Sequence, residues 1–105
     1  MPIKQPSISW QQLRMPCEKF EWREKRTGLM TTGFNPPQSA ADIHRVPFHI
    51  VYLTKSGRLE RGNCISLRVD RRTHKRMVKF IDSGEIRWIY DFLVIEVNGI
   101  RVITH

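Results

Sequence analysis

The sequence predicts a mainly β fold: a small, partly open barrel of five to six antiparallel strands, with an N-terminal extension and a short helix. Two observations lead to this prediction. From residue 46 onwards, short runs rich in β-branched and aromatic residues alternate with tight-turn sequences that contain glycine. A flat antiparallel sheet built from these runs would leave one apolar face and two open edges, so the strands are expected to curl around a shared core.

Length and composition favour one globular domain. The chain has 105 residues, which allows one core and leaves little room for a deep catalytic cleft. Its two cysteines, Cys17 and Cys64, are too few for a disulfide scaffold or a four-ligand zinc site, and they predict reduced thiols in a cytoplasmic protein. No apolar run approaches the roughly 20 residues that cross a bilayer. The N-terminus lacks an apolar signal core, so neither a membrane protein nor a secreted one is expected.

Residues 1–45 form the predicted N-terminal extension, which packs on the barrel. This part holds five of the six prolines, and each of them removes a backbone donor and disfavours helix in the residue before it. Ile8, Trp10 and Leu13 are expected to dock on the domain as a short arm.

A hairpin is predicted in the segment CEKFEWREKRTGLMTTGF. Phe20 and Trp22 alternate with Glu21 and Arg23, which suits a half-buried strand, and KRTG is a plausible turn. A short helix through residues 18–26 is the competing interpretation, because Glu, Lys and Arg are good helix formers.

A short helix is predicted directly after the NPPQS break. Ser39 is placed to cap the segment AADIHR, and Asp42 stands where a carboxylate reaches back to the cap. Pro47 is expected to end this helix.

Residues 46–105 form the predicted barrel. Asn98-Gly99 is the strongest short-range hairpin signal of the chain, and DFLV predicts a single helical turn. Gly62 interrupts the second strand and predicts a bulge or bend. The strand-like runs are VPFHIVYLT, LERGNCISLRV, RMVKFI, IRWIY, IEV and IRVI.

Alternation within these runs predicts the core. Ile65, Leu67 and Val69 share one side of their strand, and the alternation of Ile86 with Trp88 places the Trp88 ring inside. The side chains predicted to be buried together are Ile50, Ile65, Leu67, Val78, Phe80, Ile86, Trp88, Ile95 and Val97.

The order of the elements resembles SH3-like small barrels, in which a short turn precedes the last strand, as YDFLV does here. The segment VKFIDSGEIRWIYDFLVIEVNG is similar to small uncharacterised SH3-like proteins of bacterial genomes and mobile elements. The resemblance covers roughly residues 46–103 and implies no catalytic residues, because this fold hosts many unrelated functions. The hairpin HIVYLTKSGRLERGNC also resembles the first hairpin of Sm-like proteins, but the glycine-containing RNA-binding loop of that pattern is not recognisable.

Positive charge is concentrated in one third of the chain. The formal net charge is +8, and residues 55–88 hold ten Lys or Arg against four acids. This excess favours a phosphate-rich partner, DNA or RNA, whereas the alternative is a solvated rim that keeps edge strands from pairing. The predicted nucleic-acid-binding residues are Arg58, Arg61, Arg71, Arg72, Lys75, Arg76 and Lys79.

The sequence predicts a binding protein and no enzyme. Nucleotide-binding and nucleophile motifs are missing, and the histidines lack metal-ligand spacing, so no catalytic residue, metal or cofactor is expected. Tyr90 is the best candidate for an exposed ring that stacks on a base. The alternative function is a protein-interaction module with an apolar patch near Tyr52, Tyr90 and Phe92.

Overall fold

The computed structural model describes residues 6–103, so residues 1–5 of the predicted extension and residues 104–105 of the predicted barrel lie outside it. The fold is mainly β, since strands hold 56% of the described residues and helical turns 10%. One α-helical turn, α1, spans Arg14–Cys17, and two 3-10 turns span Trp10–Gln12 and Asp91–Leu93. The strands are β1 (Ser7–Ser9), β2 (Phe20–Glu24), β3 (Met30–Gly33), β4 (Ala40–Arg45), β5 (Phe48–Leu53), β6 (Leu59–Asp70), β7 (Lys75–Phe80), β8 (Ile86–Tyr90), β9 (Val94–Val97) and β10 (Ile100–Ile103).

The strands form two sheets. The larger has the order β1-β10-β9-β5-β6-β7-β8, and the smaller has the order β3-β2-β4. Six strands of the larger sheet, β5–β10, come from the part of the sequence that predicts five to six, and their pairings are antiparallel. The seventh, β1, was not predicted as a strand and adds to β10 in parallel. Neither sheet is closed within the described residues, and β1 and β8 are the edges of the larger one.

Two predicted hairpins and the predicted helical turn are confirmed. Asn98 and Gly99 adopt φ of 52° and 80°, as a two-residue turn with both central residues left-handed requires. The Asn98 side chain accepts a 2.9 Å hydrogen bond from the backbone N–H of His49, which ties this turn to β5. Strands β2 and β3 pair as the predicted hairpin, which excludes the competing helix through residues 18–26. DFLV contains the 3-10 turn Asp91–Leu93.

The helix predicted at residues 40–45 was wrong, because this segment is strand β4. It pairs with β2 in antiparallel register, and Asp42 has a φ of 54°, which an α-helix does not accept. The helical preference of six residues is weak, so hydrogen bonding to a neighbouring strand overrides it. The short helix of this protein lies at Arg14–Cys17 instead.

The predicted core was only partly right. Ile50, Val78 and Val97 are buried and Ile65 and Phe80 are half-buried, as the alternation predicts. The wrong predictions are the exposed Leu67, Ile86, Trp88 and Ile95.

The core predictions in β6 and β8 failed because these strands carry apolar residues on both faces, and either face could have been the buried one. In β8, Ile89 points into the core, whereas Trp88 pairs with Met77 on the outer face and is 47% exposed. In β6, the small side chains of Cys64 and Ser66 are buried, and the register shifts between Ser66 and Arg68. Strands with apolar residues on both faces do not fix from sequence which face is buried.

The bulge or bend predicted at Gly62 was wrong, and this glycine allows close packing of an aromatic ring instead. The pairing of β5 with β6 runs without a shift through this position. A Cβ atom at residue 62 would lie 2.8 Å from Cδ1 of Phe80, so the absence of a side chain admits the Phe80 ring. Phe80 in turn stacks on Tyr52, with ring centroids 6.2 Å apart.

The core of the larger sheet includes residues from the N-terminal arm. Leu13 and Cys17 are buried in it, and Ile8 and Trp10 pack against it, so the predicted docking of the arm is confirmed. Cys64 is buried in the same cluster, and burial raises the pKa of both thiols to about 12. Both cysteines are reduced.

Candidate nucleic-acid interface

The turn between β6 and β7 carries the densest part of the predicted basic surface. Its exposed Arg71 and Arg72 precede His74, whose φ of 56° lets the chain reverse. Asp70 braces the turn, because its Oδ1 accepts hydrogen bonds from the backbone N–H groups of Arg72 and Thr73 at 3.0 and 3.4 Å. The Thr73 hydroxyl and these N–H groups lower the pKa of Asp70, which keeps the brace ionised. Arg71 also reaches Glu18, 3.2 Å away.

Arg76 does not belong to this surface, so its prediction as a phosphate-contacting residue is corrected. It is only 2% exposed, because alternation along β7 turns Arg76 and Val78 inwards. Its Nε donates to Asp91 over 2.7 Å, and its Nη2 donates to Glu18 over 3.2 Å. Burial opposes the charged guanidinium, but the hydrogen bond to Asp91 and the surrounding negative charges outweigh burial and raise its pKa. Arg76 is therefore a neutralised structural cation.

The other predicted cations come from strand β7 and from the two ends of β6. Lys75 and Lys79 point outwards from β7, where Lys79 pairs with Ile65 and Ile86. Arg58 and Arg61 lie at the opposite end of β6 from the 71–74 turn. The 12 residues of β6 separate these two groups along the chain, although Lys55 of the same β5–β6 turn lies close to Tyr90, beside Lys75. Arg58 also pairs with Glu60 at 3.4 Å.

A row of aromatic rings lies beside the 71–74 turn. We define the aromatic ridge as Tyr90, Phe92, Trp10 and His74. The ring centroids of Tyr90 and Phe92 are 5.0 Å apart, those of Phe92 and Trp10 are 6.4 Å apart, and those of Trp10 and His74 are 5.1 Å apart. Three segments that are distant in sequence therefore contribute to one series of contacting aromatic rings.

Two lysines flank the Tyr90 end of the ridge. The ammonium groups of Lys55 and Lys75 lie 5.0 and 5.2 Å from the centroid of the Tyr90 ring. Lys75 is opposite Tyr90 in the β7–β8 pairing, whereas Lys55 comes from the turn that joins β5 to β6. The close approach of Lys55, followed by the charges of both lysines, lowers the pKa of Tyr90. The ridge thus combines flat rings with a positive potential.

A cleft of about 210 Å³ opens between these lysines. Its walls include Lys55, Lys75, Trp88 and Tyr90, and the buried Ile89 forms part of its floor. A cleft with aromatic walls and cations at its mouth has the chemistry that an unpaired base and its phosphate require.

The sequence identified part of this site and missed the rest. Tyr90, Arg71, Arg72 and Lys75 were predicted, and all four lie at or beside the ridge. Trp10, His74 and Lys55 were missed as site residues, because only the docking of the N-terminal arm and the bend of β6 bring them here. A hairpin of the two predicted strands β7 and β8 is the only sequence feature that could have placed Lys75 beside Tyr90, and these residues do pair in the structure. Phe92 was named only for the alternative function.

The histidines and cysteines of the described residues lie in separate parts of the fold or are buried. No group of three or more potential metal-ligating His, Cys, Asp or Glu side chains occurs within residues 6–103. His49 pairs with Asn63 across β5 and β6, and the Cys64 thiol is fully buried. No helix in the described part of the chain has the length and apolar character needed to span a membrane.

Comparison with known proteins gives no assignment for this fold or site. No protein-family model, curated protein or solved structure matches the chain. Its function must therefore be inferred from the geometry of the ridge and the cations around it.

Proposed function

We propose that this protein is a cytoplasmic, non-enzymatic, SH3-like small barrel that binds single-stranded DNA or RNA with little sequence preference. The observation that carries the proposal is the Tyr90 ring, which has two lysine ammonium groups within 5.2 Å of its centroid and continues into Phe92 and Trp10. Proteins of this kind stack successive bases on aromatic rings and hold the backbone with nearby cations.

The spacing of the ridge suits consecutive unpaired bases. Neighbouring centroids are 5.0 to 6.4 Å apart, a spacing within the reach of consecutive nucleotides of an extended single strand. Base stacking on an aromatic ring contributes about 1–3 kcal/mol per base, whichever base it is. Four cations border the ridge: Lys55, Lys75, Arg71 and Arg72. When they neutralise backbone phosphates, the counterions condensed on the strand are released, which favours binding at low salt. Duplex bases are already stacked on each other, so a duplex is expected to bind more weakly.

Fluorescence anisotropy with a labelled 12-nucleotide single strand tests the proposal. We expect binding at 50 mM salt that weakens steeply by 200 mM, and weaker binding of a duplex of the same sequence. Tyr90→Ala should weaken binding by about tenfold, because one stacking platform is lost. No binding of the single strand by the unmodified protein at 50 mM salt would overturn the proposal.

A pair of double variants separates the ridge from general charge. Lys55→Ala with Lys75→Ala removes the two lysines at Tyr90, whereas Lys25→Ala with Arg26→Ala removes two exposed cations from the β2–β3 turn. The first should lower the slope of log affinity against log salt by about 1.4, at 0.7 per phosphate contact on a single strand. The second should leave the slope nearly unchanged. Equal effects of the two would mean that binding is diffuse.

A protein-interaction function is the alternative, and the outer face of β8 favours it. Ile86 is 56% exposed and Trp88 is 47% exposed, on a strand that lies at the edge of its sheet. Such an edge can accept an extended peptide as a further strand. Tyr52 is buried, so it does not take part in the predicted apolar patch. A partner retained by the wild type after nuclease treatment, and lost with Ile86→Ser and Trp88→Ser, would support this function.

A further inference from the structure

A second cleft lies at the far end of the aromatic ridge, between the N-terminal arm and the β6–β7 turn. Its volume is about 220 Å³. Trp10 and His74 stand in its wall, with Arg14 and Arg71 beside them. Arg76 and its two carboxylate partners also contribute to the wall. The cleft therefore joins the end of the ridge to the buried charge network.

The cleft has an excess of positive charge. Three guanidinium groups and two carboxylates line it, which leaves one net positive charge when His74 is neutral. Both carboxylates are already engaged: Asp91 accepts hydrogen bonds from Arg76, and Glu18 accepts from Arg76 and Arg71. Their negative charge is therefore largely compensated, and an incoming anion meets the remaining donors of the arginines.

One donor of Arg76, behind the cleft, is buried and has no partner among the described residues. The Nη1 group of Arg76 makes no hydrogen bond with any described residue, although the Arg76 side chain is 98% buried. A buried donor without an acceptor is costly, more so when it is charged. Arg71 is exposed and Arg14 lines the same cleft, and the planar guanidinium groups of these two residues suit phosphate geometry.

The mouth of the cleft also has a surface for a base. The rings of Trp10 and His74 meet edge to face, with an angle of 80° between their planes. A base that stacks on one of these rings has its edge against the other. This corner is continuous with Phe92, so the last base of a strand that follows the ridge would arrive here.

We propose that this cleft holds the terminal nucleotide of a bound single strand and selects a strand end that carries a phosphate. The inference rests on the proposed function, because it assumes that the strand follows the ridge. A terminal phosphate carries more negative charge than an internal phosphodiester and more free oxygens. It is therefore the part of a strand best suited to a small cleft lined by three arginines.

The test compares four labelled oligonucleotides that share one sequence. One has a 5′-phosphate, one a 3′-phosphate, one hydroxyl groups at both ends, and the fourth is hydroxyl-ended but one nucleotide longer to control for added charge. We expect one of the phosphorylated strands to bind about tenfold more tightly than both hydroxyl-ended strands, as charge-assisted hydrogen bonds to a phosphate would give.

Neighbouring arginines provide the matched variants. Arg71→Gln removes an exposed residue that lines the cleft, so folding should be retained while the preference for the phosphorylated end disappears. Arg72→Gln removes the adjacent charge, which does not line the cleft, and should weaken all four strands alike. Equal affinity of the unmodified protein for all four strands would overturn the inference and leave the proposed function standing. No binding of any strand would overturn both.

Discussion

The Nε atom of Arg76 donates a 2.7 Å hydrogen bond to Oδ1 of Asp91 inside the fold. The same guanidinium reaches Glu18, so one cation joins β7, the 3-10 turn before β9 and the end of α1. Arg76 was predicted to lie on the surface, but it is buried and connects three parts of the chain. A buried ion pair of this kind need not stabilise more than an apolar core would, but it becomes expensive when one partner is removed.

Replacing Asp91 with alanine should therefore destabilise the protein strongly. The Arg76 charge would keep only Glu18 as a partner while it remains buried, and losses of about 3–5 kcal/mol in the free energy of unfolding are typical of such changes. Urea unfolding followed by circular dichroism measures the loss. Glu85→Ala is the control, because it breaks a 2.7 Å pair with Arg87 that is exposed, and its effect should be far smaller. Similar losses in the two variants would contradict the role given to Arg76.

Stability should fall at alkaline pH because of the two buried thiols. Burial raises the pKa of Cys17 and of Cys64 from 9.0 to about 12, so the folded state keeps protons that the unfolded state releases above pH 9. The stabilisation is complete below pH 9 and is lost as the pH rises towards 12, by about 1 kcal/mol per thiol at pH 10. Urea midpoints at pH 8 and pH 10 measure this change. If a Cys17→Ala, Cys64→Ala variant shows the same dependence on pH, other groups cause it.

A side chain at Gly62 should disturb the packing of Phe80. The Cβ atom of Gly62→Ala would lie 2.8 Å from the Phe80 ring, and overpacking of this kind costs about 1–3 kcal/mol. The thermal unfolding midpoint should fall accordingly. Gly62→Ala should cost less when it is added to Phe80→Leu than when it is added to the wild type, because the smaller leucine leaves space for the methyl group. Strictly additive losses would show that the strain arises elsewhere.

The tryptophans should differ in their access to solvent. Trp88 is 47% exposed and Trp22 is buried, although the alternation of β8 predicts the reverse for Trp88. Acrylamide should quench Trp88 efficiently and the half-buried Trp10 less, so Trp88→Phe should remove a large part of the quenchable emission, whereas Trp22→Phe should leave it. A Stern–Volmer slope that is unchanged in Trp88→Phe would mean that this ring is covered in solution.

Local patterns predicted local structure well. The Asn98-Gly99 turn and the β2–β3 hairpin depend on neighbouring residues, and both follow from the sequence. The structure of the β4 segment does not follow from its sequence. Its partner strand β2 lies about 20 residues earlier, and pairing with that strand outweighs the weak helical preference of six residues. The outward position of Trp88 was also beyond prediction, since β8 is apolar on both faces.

In the candidate site, too, the local features were predictable and the contacts between distant segments were not. Arg71 and Arg72 are adjacent in sequence, so their shared position on one turn was predictable. Arg76 looks like its neighbours in a list of charges, and only the three-dimensional fold shows that two carboxylates from elsewhere neutralise it. The approach of Trp10 to Phe92 depends on how the N-terminal arm docks, which no local pattern encodes.

The parallel pairing of β1 with β10 has a consequence for the order of events during folding. Ser7 is hydrogen-bonded into register with Arg101, nearly the whole described chain away, so this strand has no partner until the last strand has been synthesised. Contacts this distant in sequence are costly to close and tend to form slowly. During translation, β1 therefore has no partner in the sheet until the hairpin of β9 and β10 has emerged.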